Sequence, residues 1–234
     1  MIETRRRTLH GRRRGKKLRD GQQSLLETLL PRLTLDVPKT ADDGTNTIDL
    51  ARAFGGALPA GGVWLEVGFG AGEHIVWQAN RHPTVGLIGC EPYINGVAKC
   101  LAHIQRTGVA NIRLFTDDAR FVMAVLPDRS LDRAFVLFPD PWPKSRHHKR
   151  RFVQRDTLDA LARSMKPGAE LRLATDDPSY LPWMVEHVCT HLAFEWLAQR
   201  AFDWRTRPDD WPATRYEQKM LAGPKPVFLR FRRR

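Results

Sequence analysis

From Val63 onward the chain alternates short apolar runs with stretches of helical periodicity, and this alternation restricts the fold more than any other feature. The runs VWLEV (63–67), GLIGCE (86–91), NIRLFT (111–116), RAFVLF (133–138) and ELRLAT (170–175) read as strands. Helical spacing fills 73–80, 96–105, 119–126 and 151–165 between them. Strand, helix, strand in repeated order predicts an α/β fold with a parallel sheet covered on both faces. A further helix is expected over 180–189. After it the pattern changes: 194–202 alternates in polarity and VFLRFRRR closes the chain, so the two pair antiparallel at the sheet edge. The polar, Trp-rich excursion over 203–226 then becomes a long connection, a length usually reserved for function or disorder.

Upstream of Val63 the sequence has another character. Residues 22–35 show an apolar rhythm (Leu25, Leu26, Leu29, Leu30) broken by Pro31. Residues 36–62 are rich in Pro, Gly, Asp and Asn and read as a linker with one short helix near 50–54. The expected division is a basic extension with a helix over 1–55 and a folded domain over 56–234. A chain of 234 residues supports one well-buried core. It carries 38 Lys and Arg against 26 Asp and Glu, a net charge of +12. The first 20 residues hold nine basic and two acidic side chains, a net +7, leaving +5 for the rest. Such asymmetry suits a polyanion or an anionic surface, and a segment so charged is expected to stay mobile until it meets one. No apolar run approaches the roughly 20 residues of a membrane span, and none resembles a signal-peptide core. Three cysteines without CxxC spacing favour neither disulfides nor zinc, which points to a reducing cytoplasm.

Chemistry concentrates where strands end. VWLEVGFGAGEH sets Gly68, Gly70 and Gly72 directly after the first strand and at the mouth of a helix, where glycine lets the backbone approach a ligand. The spacing fails the last glycine of the dinucleotide pattern GxGxxG, since that position holds Glu73 or Ile75. Acids supply what the glycines lack. Glu91 ends the second strand, where a carboxylate accepts ribose hydroxyls, and Glu66 is placed to meet a cationic amino-acid group. These are the parts needed to hold S-adenosylmethionine, a charged amino acid joined to adenosine without a pyrophosphate. Asp118 falls where the adenine edge would lie, with Asp117 as its rival and helix capping as the alternative for either.

The run VLFPDPWPKSRHHKRR (136–151) puts Asp140 between two prolines at the end of the fourth strand and follows it with a cationic burst. Prolines 139, 141 and 143 make a stiff, non-helical turn that aims the carboxylate. Arg146, Lys149, Arg150 and Arg151, together with Lys144 and the N-terminal arginines, are expected to bind phosphates. His147 and His148 have no acid or cysteine at ligand spacing, so phosphate neighbours fit them better than a metal. Trp204, Trp211 and Tyr216 are candidates for stacking on bases, although such residues more often close a core or a loop.

In order, LEVGFGAGE, GCEPY, TDDA, FPDPWPKSRHHKRR, LATD and TRYEQK resemble the bacterial tRNA (guanine-N7)-methyltransferases, a class I S-adenosylmethionine-dependent family. The match runs from about Val63 to the C-terminus, and GRRRGKKLRDGQQ resembles the family's amino-terminal region. FPDPWPK with RHHKRR is its specific part. The resemblance implies a Rossmann-like, mostly parallel seven-stranded sheet with an antiparallel C-terminal edge strand. It implies cofactor contacts at Glu66, Glu91, Asp118 and Asp140, with Asp140 the catalytic acid. It also implies substrate contacts at Lys144, Asp176, Thr214, Arg215, Tyr216 and Glu217, with the forty-sixth position in the variable loop of tRNA as target. Two departures stand out: Asp177 replaces a frequent aromatic, and Trp211-Pro212-Ala213 replaces the usual lead-in to the last motif. The expected partner is tRNA, with no metal and no membrane, and the chain acts as a monomer or homodimer. The competing readings are a methyltransferase for another nucleic-acid base and a non-catalytic RNA-binding protein.

Overall fold

The computed structural model describes residues 11–38, 47–213 and 225–234. Two short helices lead, α1 (Asp20–Thr28) and α2 (Leu30–Leu33), the second opening on Pro31 in its first turn, where proline needs no amide partner. After α3 (Leu50–Ala53), strands and helices alternate as the sequence predicts: β1 (Val63–Val67), α4 (Glu73–Arg81), β2 (Gly86–Cys90), α5 (Ile94–Thr107), β3 (Ile112–Phe115), α6 (Ala119–Val125) and β4 (Leu131–Leu137). A 3-10 turn (Ser145–Arg150) precedes α7 (Arg155–Ser164), β5 (Met165–Thr175), α8 (Tyr180–Cys189), β6 (Phe194–Trp196), α9 (Phe202–Arg205) and β7 (Val227–Arg233). The helix expected over 151–165 is therefore shorter, because 145–150 winds as a separate 3-10 turn.

The seven strands order as β3-β2-β1-β4-β5-β7-β6. All neighbours pair in parallel except β7, which runs antiparallel to both β5 and β6. The antiparallel pairing expected between the last two strands is present, with β7 inserted one place in from the edge and the three-residue β6 outside it. The fold is the Rossmann-like class I methyltransferase architecture. After β1 the chain builds outward through β2 and β3, then crosses back to place β4 on the other side of β1. That reversal opens a crevice at the C-terminal ends of β1 and β4, the place where open α/β sheets bind ligands.

Strand alternation divides the core between the two faces. Leu65, Val67, Ala134, Val136, Leu171 and Leu173 face α6, α7 and α8. Trp64, Leu87, Leu114, Phe135 and Phe228 face α4, α5 and the N-terminal helices. Leu25 and Leu33 are buried with this second group, and the Leu35 amide donates to the Leu114 carbonyl at 2.8 Å. Residues 11–19, expected to be mobile, include a docked stretch. The Ile94 amide donates to the Arg13 carbonyl, and Asn95 bonds the Gly15 amide and the Lys16 carbonyl at 2.7 Å each. Backbone pairing of this kind needs no particular net charge, which is why charge density alone misjudged it. No described helix is long and apolar enough to cross a membrane.

Candidate functional site

The parallel register brings several strand ends to one level. Val67 pairs with Cys90 and with Val136, so the residues after β1, β2 and β4 emerge side by side. Gly68 and Gly70 adopt φ of 73° and 57°, a left-handed conformation that a side chain disfavours, and the space where a Cβ would project is open at both. From the other side, Gly96 in the first turn of α5 packs so closely that a methyl there would strike the Gly70 carbonyl oxygen. The glycine turn is thus held from behind and open in front.

Glu91 lies against this turn, within reach of the charges of Asp140 and Glu66. Glu91 is 8% exposed; its Oε1 accepts the Tyr93 amide at 2.9 Å and its Oε2 the Gly70 amide at 2.8 Å. Burial raises its pKa, and the negative charges of Asp140 and Glu66 push it further in the same direction. Glu66, buried on the helix-α4 side of β1, lies 2.6 Å from His74 Nδ1. Both oxygens of Glu91 keep a second lone pair after these bonds. Asp118 caps α6, accepting the Arg120 amide at 3.0 Å and its guanidinium at 3.1 Å. Its neighbour Asp117 accepts the Asp118 amide at 2.8 Å and pairs with Arg13, which ties the N-terminal segment to this edge of the opening.

Asp140 follows β4 and is reached by solvent, while partial desolvation raises its pKa. Among the described residues its carboxylate makes no hydrogen bond or ion pair. The turn that carries it is strained on both sides: Phe138 has φ of 50° and Trp142 of 44°. It is also clamped. Arg151 Nε donates to the Pro141 carbonyl at 2.7 Å, while its terminal nitrogens reach the Ser179 carbonyl and hydroxyl at 3.4 and 3.1 Å. The guanidinium lies 4.9 Å from the ring centroids of both Tyr180 and Trp183.

This corrects one expectation. Arg151, expected on a phosphate, is 1% exposed with its donors spent inside the protein. Lys144, Arg146 and Lys149 are exposed around the 3-10 turn, and Arg150 is half-buried with its guanidinium 5.0 Å from the Trp142 ring. The rings of His147 and His148 pack edge-on against Trp142 and Trp183. Asp176 follows β5 directly, half-buried beside this edge. Asp177, one of the two departures, caps α8 by accepting the Ser179 and Tyr180 amides at 2.8 and 2.9 Å. Trp211 belongs to the core at 2% exposure and is not offered for stacking, while Trp204 is half-buried against the cluster on the other face of the sheet. Thr214, Arg215, Tyr216 and Glu217 lie outside the described residues. Among the described residues no group of His, Cys, Asp and Glu is arranged to hold a metal.

Sequence reasoning missed the support beneath Glu66. His74 and Gln78, one helical turn apart on α4, are 2% and 0% exposed. Gln78 Nε2 lies 3.1 Å from His74 Nε2 and donates to the Asp210 carbonyl at 2.9 Å. Asp210 is held in turn by both terminal nitrogens of the buried Arg172, at 2.9 and 2.7 Å. The available signal was two polar residues on the inward face of an amphipathic helix.

The family model described as "Putative methyltransferase" matches residues 61–229. The tRNA (guanine-N(7)-)-methyltransferase of Rhodospirillum rubrum is 52% identical over 226 residues, covering 96% of this chain and 87% of the relative. That of Paramagnetospirillum magneticum is 50% identical, covering 96% and 92%. Among solved structures, a variant of the 16S rRNA (adenine(1408)-N(1))-methyltransferase from Catenulisporales acidiphilia with cosubstrate SAM superposes with a TM-score of 0.55. It is 17% identical and covers 86% of this chain and 95% of that one. An rRNA methylase from Streptococcus thermophilus gives a TM-score of 0.51 at 11% identity, covering 74% and 86%. At those identities the two structures speak for the fold alone, whereas the half-identical, nearly full-length relatives speak for the family. With a family model spanning most of the chain and relatives this similar along nearly all of it, the protein is a member of the tRNA (guanine-N(7)-)-methyltransferase family.

Proposed function

We propose that this protein transfers the methyl group of S-adenosylmethionine to N7 of the guanine at the forty-sixth position, in the variable loop of tRNA. The observation that carries the reading is Glu91 bonded to the Gly70 amide of an open glycine turn, within reach of the charges of Asp140 and Glu66. The residues suit the donor: Gly68 and Gly70 leave room for close approach, Glu91 has lone pairs free for two ribose hydroxyls, and Glu66, one oxygen held at His74, is the acid assigned to the ammonium. Asp118 and Asp117 border the adenine end, alongside Arg13. When bound, the donor supplies an activated methyl on a sulfonium.

The chain's own task is then positioning and electrostatics. Guanine N7 carries an in-plane lone pair and no proton, so no strong general base is required. Asp140, fixed by a turn that Arg151 clamps, lies where positive charge develops on the purine and stabilises it there. Its carboxylate also accepts a hydrogen bond from the base. Holding the base in line with the methyl contributes several kcal/mol at favourable geometry. The N7 edge is hidden in A-form duplexes, so the base must be accessible or partly extruded. Lys144, Arg146, Lys149 and Arg150 bind flanking phosphates, and Asp176 with Thr214, Arg215, Tyr216 and Glu217 makes the remaining substrate contacts.

The test is incubation with labelled donor and unmodified tRNA transcript, followed by mapping of the modified nucleotide. Label at N7 of the variable-loop guanine is the expected result. Label on another base, or none while donor binds normally, overturns it.

A further inference from the structure

Three buried side chains, Glu66, His74 and Gln78, run to the half-buried Asp210 at the root of the 206–226 connection. Glu66 Oε2 lies 2.6 Å from His74 Nδ1, His74 Nε2 lies 3.1 Å from Gln78 Nε2, and Gln78 Nε2 lies 2.9 Å from the Asp210 carbonyl. The proton positions follow from the last link. A backbone carbonyl only accepts, so the Gln78 amide nitrogen faces Asp210, and the same nitrogen must donate to His74 Nε2. The ring proton is thereby left on Nδ1, pointed at Glu66. The His74 ring is wedged between Phe135 and Trp211, with centroids 4.7 and 5.9 Å away, so its orientation is fixed by packing as well.

Stability alone does not explain this arrangement. The other inward positions of α4 are Ile75, Val76 and Ala79, and apolar residues at 66, 74 and 78 would avoid desolvating a carboxylate, an imidazole and an amide together. What the polar chain achieves is registration: one end fixes a carboxylate oxygen of Glu66, and the other fixes the backbone one residue before Trp211. Asp210 is then locked on both its main chain, by Gln78, and its side chain, by Arg172. The segment bearing Thr214 to Glu217 begins three residues after Trp211.

We propose that His74 and Gln78 are positioning residues that set the root of the tRNA-contacting segment, Asp210–Trp211, against the donor-binding acid Glu66. This rests on the function proposed above. Two variants separate the ends of the chain. Gln78→Met preserves volume and removes the amide. His74→Asn keeps a short N–H donor toward Glu66 but cannot reach Gln78.

The measurements are donor Kd by calorimetry without RNA, KM for tRNA and kcat by methyl incorporation, and Tm. Each variant is expected to raise the tRNA KM about fivefold, the worth of one hydrogen bond, with donor Kd within about twofold of wild type. The double variant should be no worse than either single one, because both break the same chain. Wild-type tRNA KM in both variants overturns the inference. So does a joint loss of donor binding, tRNA KM and Tm, which would show a bridge that only holds the core together. Failure of the underlying function is distinguishable: there the wild-type protein itself would not methylate tRNA.

Discussion

Arg151 Nε and the Pro141 carbonyl oxygen are joined by a 2.7 Å hydrogen bond, and through it a buried cation holds the turn that presents Asp140. The guanidinium also bonds Ser179 at the start of α8 and lies against Tyr180 and Trp183. It therefore ties the β4 turn to the loop after β5, across the mouth of the pocket.

Replacing Arg151 should be structural in its effect and not electrostatic toward RNA. Arg151→Met leaves the Pro141 carbonyl without its donor and is expected to cost about 2 kcal/mol, a fall in Tm of roughly 5 °C. The slope of log affinity against log salt for tRNA should stay at the wild-type value. Lys149→Ala, at an exposed position, should leave Tm alone and reduce that slope by about one. Thermal melts and salt titrations of the two variants check the contrast, and a reduced slope in Arg151→Met would return that residue to the phosphate-binding set.

Gly96 sets how closely α5 approaches the glycine turn. A methyl at this position meets the Gly70 carbonyl oxygen, which is backbone and cannot rotate away. Gly96→Ala should displace the turn and weaken donor binding about tenfold, with little effect on tRNA affinity measured without donor. Calorimetry with the donor and filter binding with tRNA separate the two.

The three cysteines differ sharply in access. Cys90 and Cys100 are buried, and burial together with nearby carboxylates pushes both thiols far above their ordinary range, while Cys189 is exposed. A thiol-specific reagent at neutral pH should label one cysteine per native chain, abolished by Cys189→Ser, and three after denaturation. Activity should survive the labelling, since Cys189 ends α8 away from the strand ends that carry the acids.

The legible parts of this protein were those with short-range causes. The strand-end positions of Glu91 and Asp140 were readable because each closes an apolar strand next to residues that forbid helix, and parallel pairing then aligns such ends automatically. Gly68 and Gly70 were readable because only an open left-handed turn needs them there. Arg151 was misread because a run of cations looks alike along its length, whereas burial is decided by Tyr180 and Trp183, some 30 residues away. Asp177 looked like a departure in a substrate motif, and its place as the cap of α8 emerges only once the helix start is known. Gln78 and Asp210 are 132 positions apart, and nothing local in either segment announces the other.

Asp140 should show the opposition between activity and stability that a desolvated functional carboxylate creates. Its pKa is raised above 3.8 by desolvation, so the folded protein holds this proton more tightly than the unfolded chain does. Stability from this group is therefore present at low pH and is lost as pH rises through the folded-state pKa. Above that point the ionised carboxylate costs stability, yet it is the ionised form that can oppose positive charge on the purine. Asp140→Asn should accordingly lose methyl transfer by about a hundredfold or more at neutral pH while melting no lower than wild type, and slightly higher. The difference in Tm should shrink as pH falls through the raised folded-state pKa, where the wild-type carboxyl takes up its proton. Wild-type kcat should decline over the same acid range, and Glu91, raised for a similar reason, should weaken donor binding there. Tm and kcat profiles of the two proteins across this range test the assignment: Asp140→Asn retaining wild-type turnover would remove Asp140 from the chemistry.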